Sequence, residues 1–202
     1  MATNRERGVS SAPADWQLPP ILAGARVAFE EHGYHGTTVR DIAQRAGVTV
    51  PGLYYHYESK QAMLFALLMD SMQALLDRCG LALAKAQSDP RERLAALVEC
   101  VVEFMAQHAS QGLTSELRSL EPDNRARYVA LRDQLDQLTR DIVLAGNEAG
   151  VFHAEFAAET ARAVLTMCDA VGRWYRPGGR LSPNTVAKRY VSIALNTVGC
   201  RD

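Results

Sequence analysis

The 202-residue chain is predicted to fold as an all-α protein of about nine helices, because three features of its sequence agree. Apolar residues recur at spacings of three and four along almost the whole chain, which is the period of an amphipathic helix. The periodic stretches begin at Ser, Thr or Asp-Pro and end at Gly, the residues that start and stop helices. No alternating apolar–polar run of useful length indicates a strand.

The first two predicted helices have clear boundaries. The first contains the apolar positions between Ile21 and Phe29 and ends at Gly33. The second begins after Thr38, which forms an N-terminal capping pattern with Asp41, since each side chain can satisfy a free backbone donor. It ends at Gly47, because glycine most easily adopts the positive φ of a helix C-terminus.

A third short helix is predicted to begin only a few residues later, at Thr49. Threonine is a good N-cap, and Pro51 is tolerated because first-turn N–H groups have no partner within a helix. Ser59 starts a longer helix, which ends at Gly80 or continues past it. The remaining helices are predicted from Pro90, over residues 111–120, from Pro122 to Gly150, and over residues 158–175 and 183–198.

The overall charge of the chain does not predict a partner. There are 22 basic and 23 acidic residues, which gives a net charge of -1. A strongly basic chain would indicate a polyanionic partner such as nucleic acid. Residues 1–60 contain six residues of each sign, so any contact with nucleic acid must depend on where individual charges lie.

Several classes of function are disfavoured. Residues 1–15 are polar, so we expect a mobile arm rather than a signal peptide, and no apolar run of about 18 residues predicts a membrane span. The four cysteines are far apart and lack the spacing of a zinc or redox motif, so we expect reduced, packed thiols. No nucleophile elbow, phosphate loop or metal-ligand spacing indicates an enzyme or a cofactor. We therefore expect a cytoplasmic, non-enzymatic protein without a cofactor.

Residues 38–57, TVRDIAQRAGVTVPGLYYHY, have the pattern of a helix-turn-helix unit. Ile42 and Leu53 are apolar where the two helices must pack, while Ala43 and Ala46 are small enough for close approach. In such units the N-terminal end of the second helix meets base edges in the major groove. The pattern therefore predicts double-stranded DNA as a partner, although two short helices could also be packing elements of any all-α protein.

The chemistry of the side chains suggests which residues would contact DNA. Thr49 could hydrogen-bond to a base edge or a phosphate, Val50 could touch a thymine methyl group, and Gly52 would let the backbone come close. Tyr54 and Tyr57 could instead belong to the core. Groups suited to phosphate oxygens are those of Tyr54, Tyr55, His56 and Lys60, together with Arg40 and the helix N-terminus capped by Thr38.

Residues 21–64 closely resemble the DNA-binding domain of the tetracycline-repressor (TetR) family, through positions that include Phe29, Gly33, Tyr34, Gly47 and Tyr55. The resemblance implies a homodimeric regulator in which a DNA-binding domain over residues 16–62 follows the arm that composition predicts over residues 1–15. A ligand-binding and dimerisation domain over residues 63–202 comes after it. Pro51 and Gly52 depart from the commoner residues of the family, so base readout is expected to be modest. The DNA contacts that the resemblance implies are Thr38, Arg40, Thr49, Val50, Gly52, Tyr55, His56 and Lys60.

A second resemblance concerns residues 173–179, RWYRPGG, and the Leu-Ser-Pro of residues 181–183. They resemble a motif between the last two helices of a TetR subgroup that includes repressors of fatty-acid, steroid and aromatic-acid breakdown. Several members of that subgroup respond to acyl-coenzyme A thioesters, so the resemblance implies a small hydrophobic effector of this kind. An unrelated apolar ligand and an activator role remain open alternatives.

A thioester of this kind needs an apolar slot for its acyl part and cations for its phosphates. Methionines suit such a slot because they adapt to irregular ligands. An apolar stripe at helical spacing is also what an ordinary core contains, and Arg176 could simply cap the carbonyls of the preceding helix. The candidate ligand-binding residues are Met72, Phe104, Met105, His108, Leu117, Tyr128, Leu131, Met167, Trp174 and Arg176.

The last two helices are predicted to form a homodimer interface. They contain many small residues, which allow close packing, and a self-complementary surface pairs naturally about a two-fold axis. Such a dimer matches a palindromic operator. The expected mechanism is derepression, in which the ligand moves the helix that starts at Ser59 and the DNA-binding domain with it.

Overall fold

A computed structural model of the chain describes residues 17–108 and 113–200, and the predicted N-terminal arm lies outside these ranges. The described residues form eight α-helices and one 3-10 helix and contain no strand, which confirms the all-α prediction. The α-helices are α1 (Pro20–Gly36), α2 (Val39–Ala46), α3 (Val50–His56), α4 (Lys60–Lys85), α5 (Pro90–His108), α6 (Pro122–Glu148), α7 (Ala157–Trp174) and α8 (Pro183–Thr197), with the 3-10 helix at Leu113–Ser119.

The predicted caps of the short helices are formed. The Thr38 hydroxyl oxygen accepts a hydrogen bond from the Asp41 N–H at 3.1 Å, and the Thr49 hydroxyl oxygen accepts one from the Gly52 N–H at 3.1 Å. Gly47 adopts the left-handed conformation, with φ 67°. The turn between α2 and α3 is therefore fixed by the backbone conformation of Gly47 and by the Thr49 cap, which together set the direction in which α3 begins.

The regular part of α1 ends at Gly33, where the sequence predicts it, because Gly33 has φ 68° and ψ 168°. One further turn follows as far as Gly36. The buried Thr37 hydroxyl oxygen lies 2.9 Å from the Ala28 carbonyl oxygen and 2.7 Å from the Gly33 carbonyl oxygen, so it occupies the gap that the kink opens. This kink brings the end of α1 over the start of α4.

Helix α4 does not end at Gly80 but continues to Lys85. Two hydrophobic cores meet on it: the first combines α1–α3 with α4 as far as Leu68, and the second begins at Ala74 and extends through α5–α8. Met72 packs against both cores. The predicted domain division at residues 62 and 63 lies within the first turn of α4 and remains a prediction.

In the second half of the chain, α5 is the central helix and contacts α4, α6, α7 and α8. None of the helices in the described ranges combines the length and apolarity that crossing a bilayer requires. Two buried residues, Leu120 and Tyr128, belong to the first core although they lie late in the sequence. The two halves of the molecule are thus packed together around the 3-10 helix and the start of α6.

Candidate DNA-binding surface and ligand cavity

One side of α3 is anchored in the first core and the other side is exposed. Leu53 is fully buried, and Val50 and Tyr57 pack against the same core. Thr49, Tyr55 and His56 are exposed, and their spacing from Gly52 places them on one side of the helix. Tyr55 is 87% exposed, which leaves its phenol available to a phosphate oxygen.

The structure assigns some predicted contact residues a structural role as well. The Thr49 hydroxyl oxygen caps α3, which leaves its hydrogen for donation to DNA. Val50 is half-buried, so only part of its side chain can reach a thymine methyl group. Tyr54 is exposed rather than part of the core and adds a second hydroxyl beside Tyr55, whereas Tyr57 packs on the core.

Lys60 is bound within the chain. Its ammonium group donates to the Tyr34 carbonyl oxygen at 2.6 Å and to the Thr37 carbonyl oxygen at 2.7 Å, and it lies 4.4 Å from the centroid of the Tyr34 ring. Burial lowers the pKa of Lys60 and the nearby Glu116 carboxylate opposes that shift. Lys60 therefore joins the end of α1 to the start of α4, and at most one of its three N–H donors is left for a phosphate.

Arg40 differs from Lys60 because it is exposed on α2 and makes no hydrogen bond or ion pair with other described residues. We expect Arg40→Ala to weaken binding to all duplexes alike and to reduce the salt dependence of binding by about one phosphate contact, without changing the melting temperature. Lys60→Ala should lower the free energy of unfolding by about 1–3 kcal/mol, since two partly buried carbonyls lose their donor. Fluorescence anisotropy at several salt concentrations and thermal unfolding measure the two effects, and equal destabilisation by both variants would contradict this assignment.

A cavity of about 330 Å³ lies between α4, α5, α6, α7 and the 3-10 helix. This volume is at the lower end of the range for small-molecule sites. Its inner wall is apolar and contains four of the predicted ligand-binding residues: Met72, Met105, Leu117 and Tyr128. Four further apolar residues that complete the inner wall are Leu75, Val101, Leu135 and Leu165.

The polar residues of the lining are more exposed than the apolar ones. Arg132, Arg162 and Thr166 are exposed and Asp136 and Asp169 are half-buried, so these five side chains lie toward the opening of the cavity. Burial raises the pKa of Asp169, and the nearby Arg173 guanidinium partly offsets that rise. Burial also raises the pKa of Tyr128 to about 12, with a further contribution from the Asp169 carboxylate, so the phenol stays protonated and can donate a hydrogen bond. The site thus combines an apolar interior with two guanidinium groups and two carboxyl groups at its mouth.

Five of the predicted ligand-binding residues do not line this cavity. Phe104 and Leu131 are buried in the second core, and Met167 lines a shallow surface groove on α7. Trp174 is 46% exposed and stacks on Tyr190. Arg176 donates to the carbonyl oxygens of Arg173 and Tyr175, as the capping alternative expects. The predicted contact of the His108 side chain lies outside what the structure describes.

Sequence reasoning expected cations for phosphates but named Arg176 and did not name Arg132 and Arg162, which are the arginines that line the cavity. A usable signal is present: Tyr128, Arg132 and Leu135 follow one another at helical spacing on α6, as do Arg162, Leu165 and Asp169 on α7. A stripe that mixes apolar and charged residues at this spacing is unusual for a fully packed core.

The cavity shares side chains and contacts with the helices that are predicted to bind DNA. Leu117 and Tyr128 line the cavity and also pack against the first core. The Gln61 side-chain amide in the first turn of α4 donates to the Ser119 carbonyl oxygen at 2.7 Å, which ties α4 to the 3-10 helix. The Arg127 guanidinium lies 4.8 Å from the centroid of the Phe65 ring and makes a second link between α6 and α4.

Comparison with known proteins gives one family over nearly the whole chain. A profile described as bacterial regulatory proteins, tetR family, matches residues 21–67, and one described as the tetracyclin repressor-like C-terminal domain matches residues 87–198. The transcriptional repressor KstR2 of Rhodococcus jostii is 35% identical over 181 residues, covering 87% of this chain and 88% of the relative.

Two solved structures are also similar to the chain. A regulatory protein in the tetR family from Rhodococcus RHA1 has a TM-score of 0.83 at 30% identity and covers 91% of this chain and 97% of its own. The ketosteroid transcriptional regulator KstR2 of Mycobacterium tuberculosis has a TM-score of 0.80 at 29% identity. The match covers 90% of this chain and 94% of the KstR2 chain.

Proposed function

Because this chain belongs to the tetR family of bacterial transcription regulators and not to an enzyme family, we propose that it represses genes by binding operator DNA as a homodimer. The protein leaves its operator when a small hydrophobic effector enters the cavity between α4, α5, α6 and α7. Regulators of this family bind operator DNA, typically as dimers. The exposed side of α3, with Tyr55 and His56, is the surface that would enter the major groove.

The observation on which the release mechanism depends is that one group of side chains belongs to both the cavity wall and the first core. A ligand that displaces Tyr128 or Leu117 changes the packing under α1 and α4, because both residues contact that core. The ligand can release DNA only if its affinity for the protein differs between the DNA-bound and the released arrangement of α4. The Gln61–Ser119 hydrogen bond and the Arg127–Phe65 contact would transmit the movement to the start of α4.

Exposed aromatic and aliphatic side chains on the last two helices support the proposed dimer. Trp174 at the end of α7, Tyr190 stacked against it, and Ile193 on α8 leave apolar area uncovered within one chain. Phe156, just before α7, is also largely exposed. A second copy related by a two-fold axis would cover these side chains and hold two α3 helices at a fixed spacing.

The proposed effector class is an acyl-coenzyme A thioester. The apolar inner wall suits an acyl group, and Arg132 and Arg162 at the mouth suit phosphates, which guanidinium groups bind bidentately. The carboxyl groups of Asp136 and Asp169 would select a ligand that also has hydrogen-bond donors. The relatives' names support a polycyclic acyl part, since one of them is called a ketosteroid regulator.

Selection of duplexes from a random library by the full chain tests the DNA-binding part of this proposal. We expect an enriched inverted repeat with half-sites about one helical turn or more apart, occupied by two chains. Enrichment of a single, non-repeated half-site by one chain would contradict the dimer. Deletion of the gene should raise transcription next to the selected site; a fall would support the activator alternative instead.

A further inference from the structure

Two cysteines that are far apart in the sequence lie side by side in the structure. Cys79 on α4 and Cys100 on α5 have their sulfur atoms 3.6 Å apart, with the Cys79 thiol donating to the Cys100 sulfur. Both are free thiols. Neither residue lines the effector cavity, so the proposed function gives no reason for two thiols at this place.

The two cysteines of the pair differ in their access to solvent. Cys79 is buried, with Cys168 of α7 near enough to influence it. Cys100 is half-buried and lines a surface groove of about 300 Å³ between α4 and α5, which also contains Arg78, Lys85, Glu99 and Glu103. A small polar oxidant can therefore reach Cys100 from solvent, and Cys79 only through it.

We propose that Cys79 and Cys100 form a dithiol that peroxides oxidise, and that the resulting disulfide joins α4 to α5. The sulfur atoms, now 3.6 Å apart, must approach by about 1.5 Å to reach bonding distance. The assignment depends on the geometry of the pair and not on the function of the DNA-binding helices.

Cys100 is the thiol that reacts first. The hydrogen bond from Cys79 lowers the pKa of Cys100, and the Arg78 guanidinium lowers it further, although burial and the carboxylates of Glu99 and Glu103 act in the opposite direction. The same hydrogen bond and burial raise the pKa of Cys79. The thiolate is the nucleophile toward peroxides, so Cys100, the half-buried and more acidic member of the pair, is attacked before the buried Cys79.

The reaction balances in two steps. The Cys100 thiolate attacks one oxygen of the peroxide, the O–O bond breaks, and the leaving oxygen takes a proton as water or alcohol, which leaves a sulfenic acid on Cys100. The Cys79 sulfur then attacks the Cys100 sulfur, the S–O bond breaks, and the departing hydroxide takes the Cys79 proton as water. Two thiols are oxidised by one peroxide, and a reduced thiol reagent reverses the change.

A disulfide between Cys79 and Cys100 would lie directly beside the wall of the effector cavity. Cys79 follows Leu75 of the cavity wall by one helical turn, and Cys100 directly precedes Val101 of the same wall. A covalent link here fixes the distal half of α4 against the central helix α5. Because α4 also contacts the first core, oxidation would restrain the helix that the proposed function moves on release of DNA, and this consequence, unlike the disulfide itself, rests on that proposed function.

The test treats the folded full chain with stoichiometric hydrogen peroxide, alkylates the remaining thiols and maps tryptic peptides, since the four cysteines fall in four different peptides. We expect a Cys79–Cys100 linked peptide, a mass loss of about 2 Da that dithiothreitol restores, and the same result in the control variant Cys200→Ser. A linkage of Cys79 to Cys168, or two free thiols at positions 79 and 100, would overturn the proposal.

Single variants separate the roles of the two thiols. In Cys79→Ser, Cys100 should stop at a sulfenic acid that dimedone traps, at a rate about tenfold or more above that of Cys200. In Cys100→Ser, Cys79 should stay unmodified because it is buried. Preferential oxidation of Cys79 in that variant, with the circular dichroism spectrum of the folded chain retained, would contradict the assignment of Cys100 as the attacked thiol.

Discussion

Replacing Gly146 with alanine should destabilise the second half of the chain more than any other single-methyl change described here. A Cβ at this position would lie 2.5 Å from Phe152 Cγ, inside the van der Waals contact distance. Phe152 is buried in the second core, so its ring has no free space to move into. Overpacking costs about 1–3 kcal/mol. Because three ring atoms of Phe152 lie well inside contact distance, we expect a cost at the upper end of that range, above the ~1 kcal/mol that alanine gains over glycine in a helix.

Thermal unfolding measures the effect, and Gly80→Ala is the matched control. Gly80 also lies within a long helix, but a Cβ there meets nothing within 4 Å, so this variant should be stabilised by about 0.5–1 kcal/mol. The double variant Gly146→Ala/Phe152→Leu should lose less stability than the sum of its single changes, because the smaller side chain relieves the clash. If Gly146→Ala melts at or above the temperature of the unmodified chain, this account of the α6 terminus is wrong.

Replacing Tyr55 with alanine should lower the affinity for operator DNA by about tenfold or more while leaving stability unchanged. Its side chain is more exposed than that of Tyr54, and the ring contact with His56 at 5.3 Å is between two exposed groups. A hydrogen bond to a charged group contributes about 1.5–3 kcal/mol, and the loss of a phosphate contact acts on all sequences alike.

Tyr55→Phe distinguishes the hydroxyl from the ring. If the phenol donates to a phosphate, the phenylalanine variant should lose nearly as much affinity as the alanine variant. Tyr57→Phe is the control, because Tyr57 packs against the first core and should not contact DNA. If the Tyr55→Ala variant binds the selected duplex as tightly as the unmodified chain, the proposal that α3 contacts DNA is contradicted.

The helices and their boundaries could be predicted from the sequence because their signals are local. Thr38, Thr49 and Ser59 each accept a hydrogen bond from the backbone N–H three residues later, as their position before a helix suggests. Gly80 shows the limit of such signals. Its effect on α4 depends on neighbouring helices that the local sequence does not reveal, and the helix continues through it.

The composition of the cavity could be predicted only in part, because helical spacing does not say which side faces a void. Met105 and Phe104 are adjacent in the sequence, yet Met105 lines the cavity while Phe104 fills the second core near Arg78. Lys60 is a similar case on the DNA-binding side. A basic residue beside the recognition helix suggests a phosphate contact, but the kink at Gly33 directs two carbonyls toward its ammonium group.

The central claim is that an apolar ligand in the cavity weakens binding to the operator. Met105→Trp adds bulk inside the cavity, whereas Leu144→Trp adds the same kind of bulk on the exposed side of α6. Small molecules extracted from the purified full chain, and a series of acyl-coenzyme A thioesters, would be added to a labelled duplex bound by each protein.

Fluorescence anisotropy of that labelled duplex is the most direct measurement. We expect the effective compound to raise the Kd of the unmodified chain and of Leu144→Trp by about tenfold or more, within the usual range of allosteric coupling, and to leave the Kd of Met105→Trp unchanged. Equal release of DNA from all three proteins, or no release from the unmodified chain by any compound that it binds, would contradict the claim.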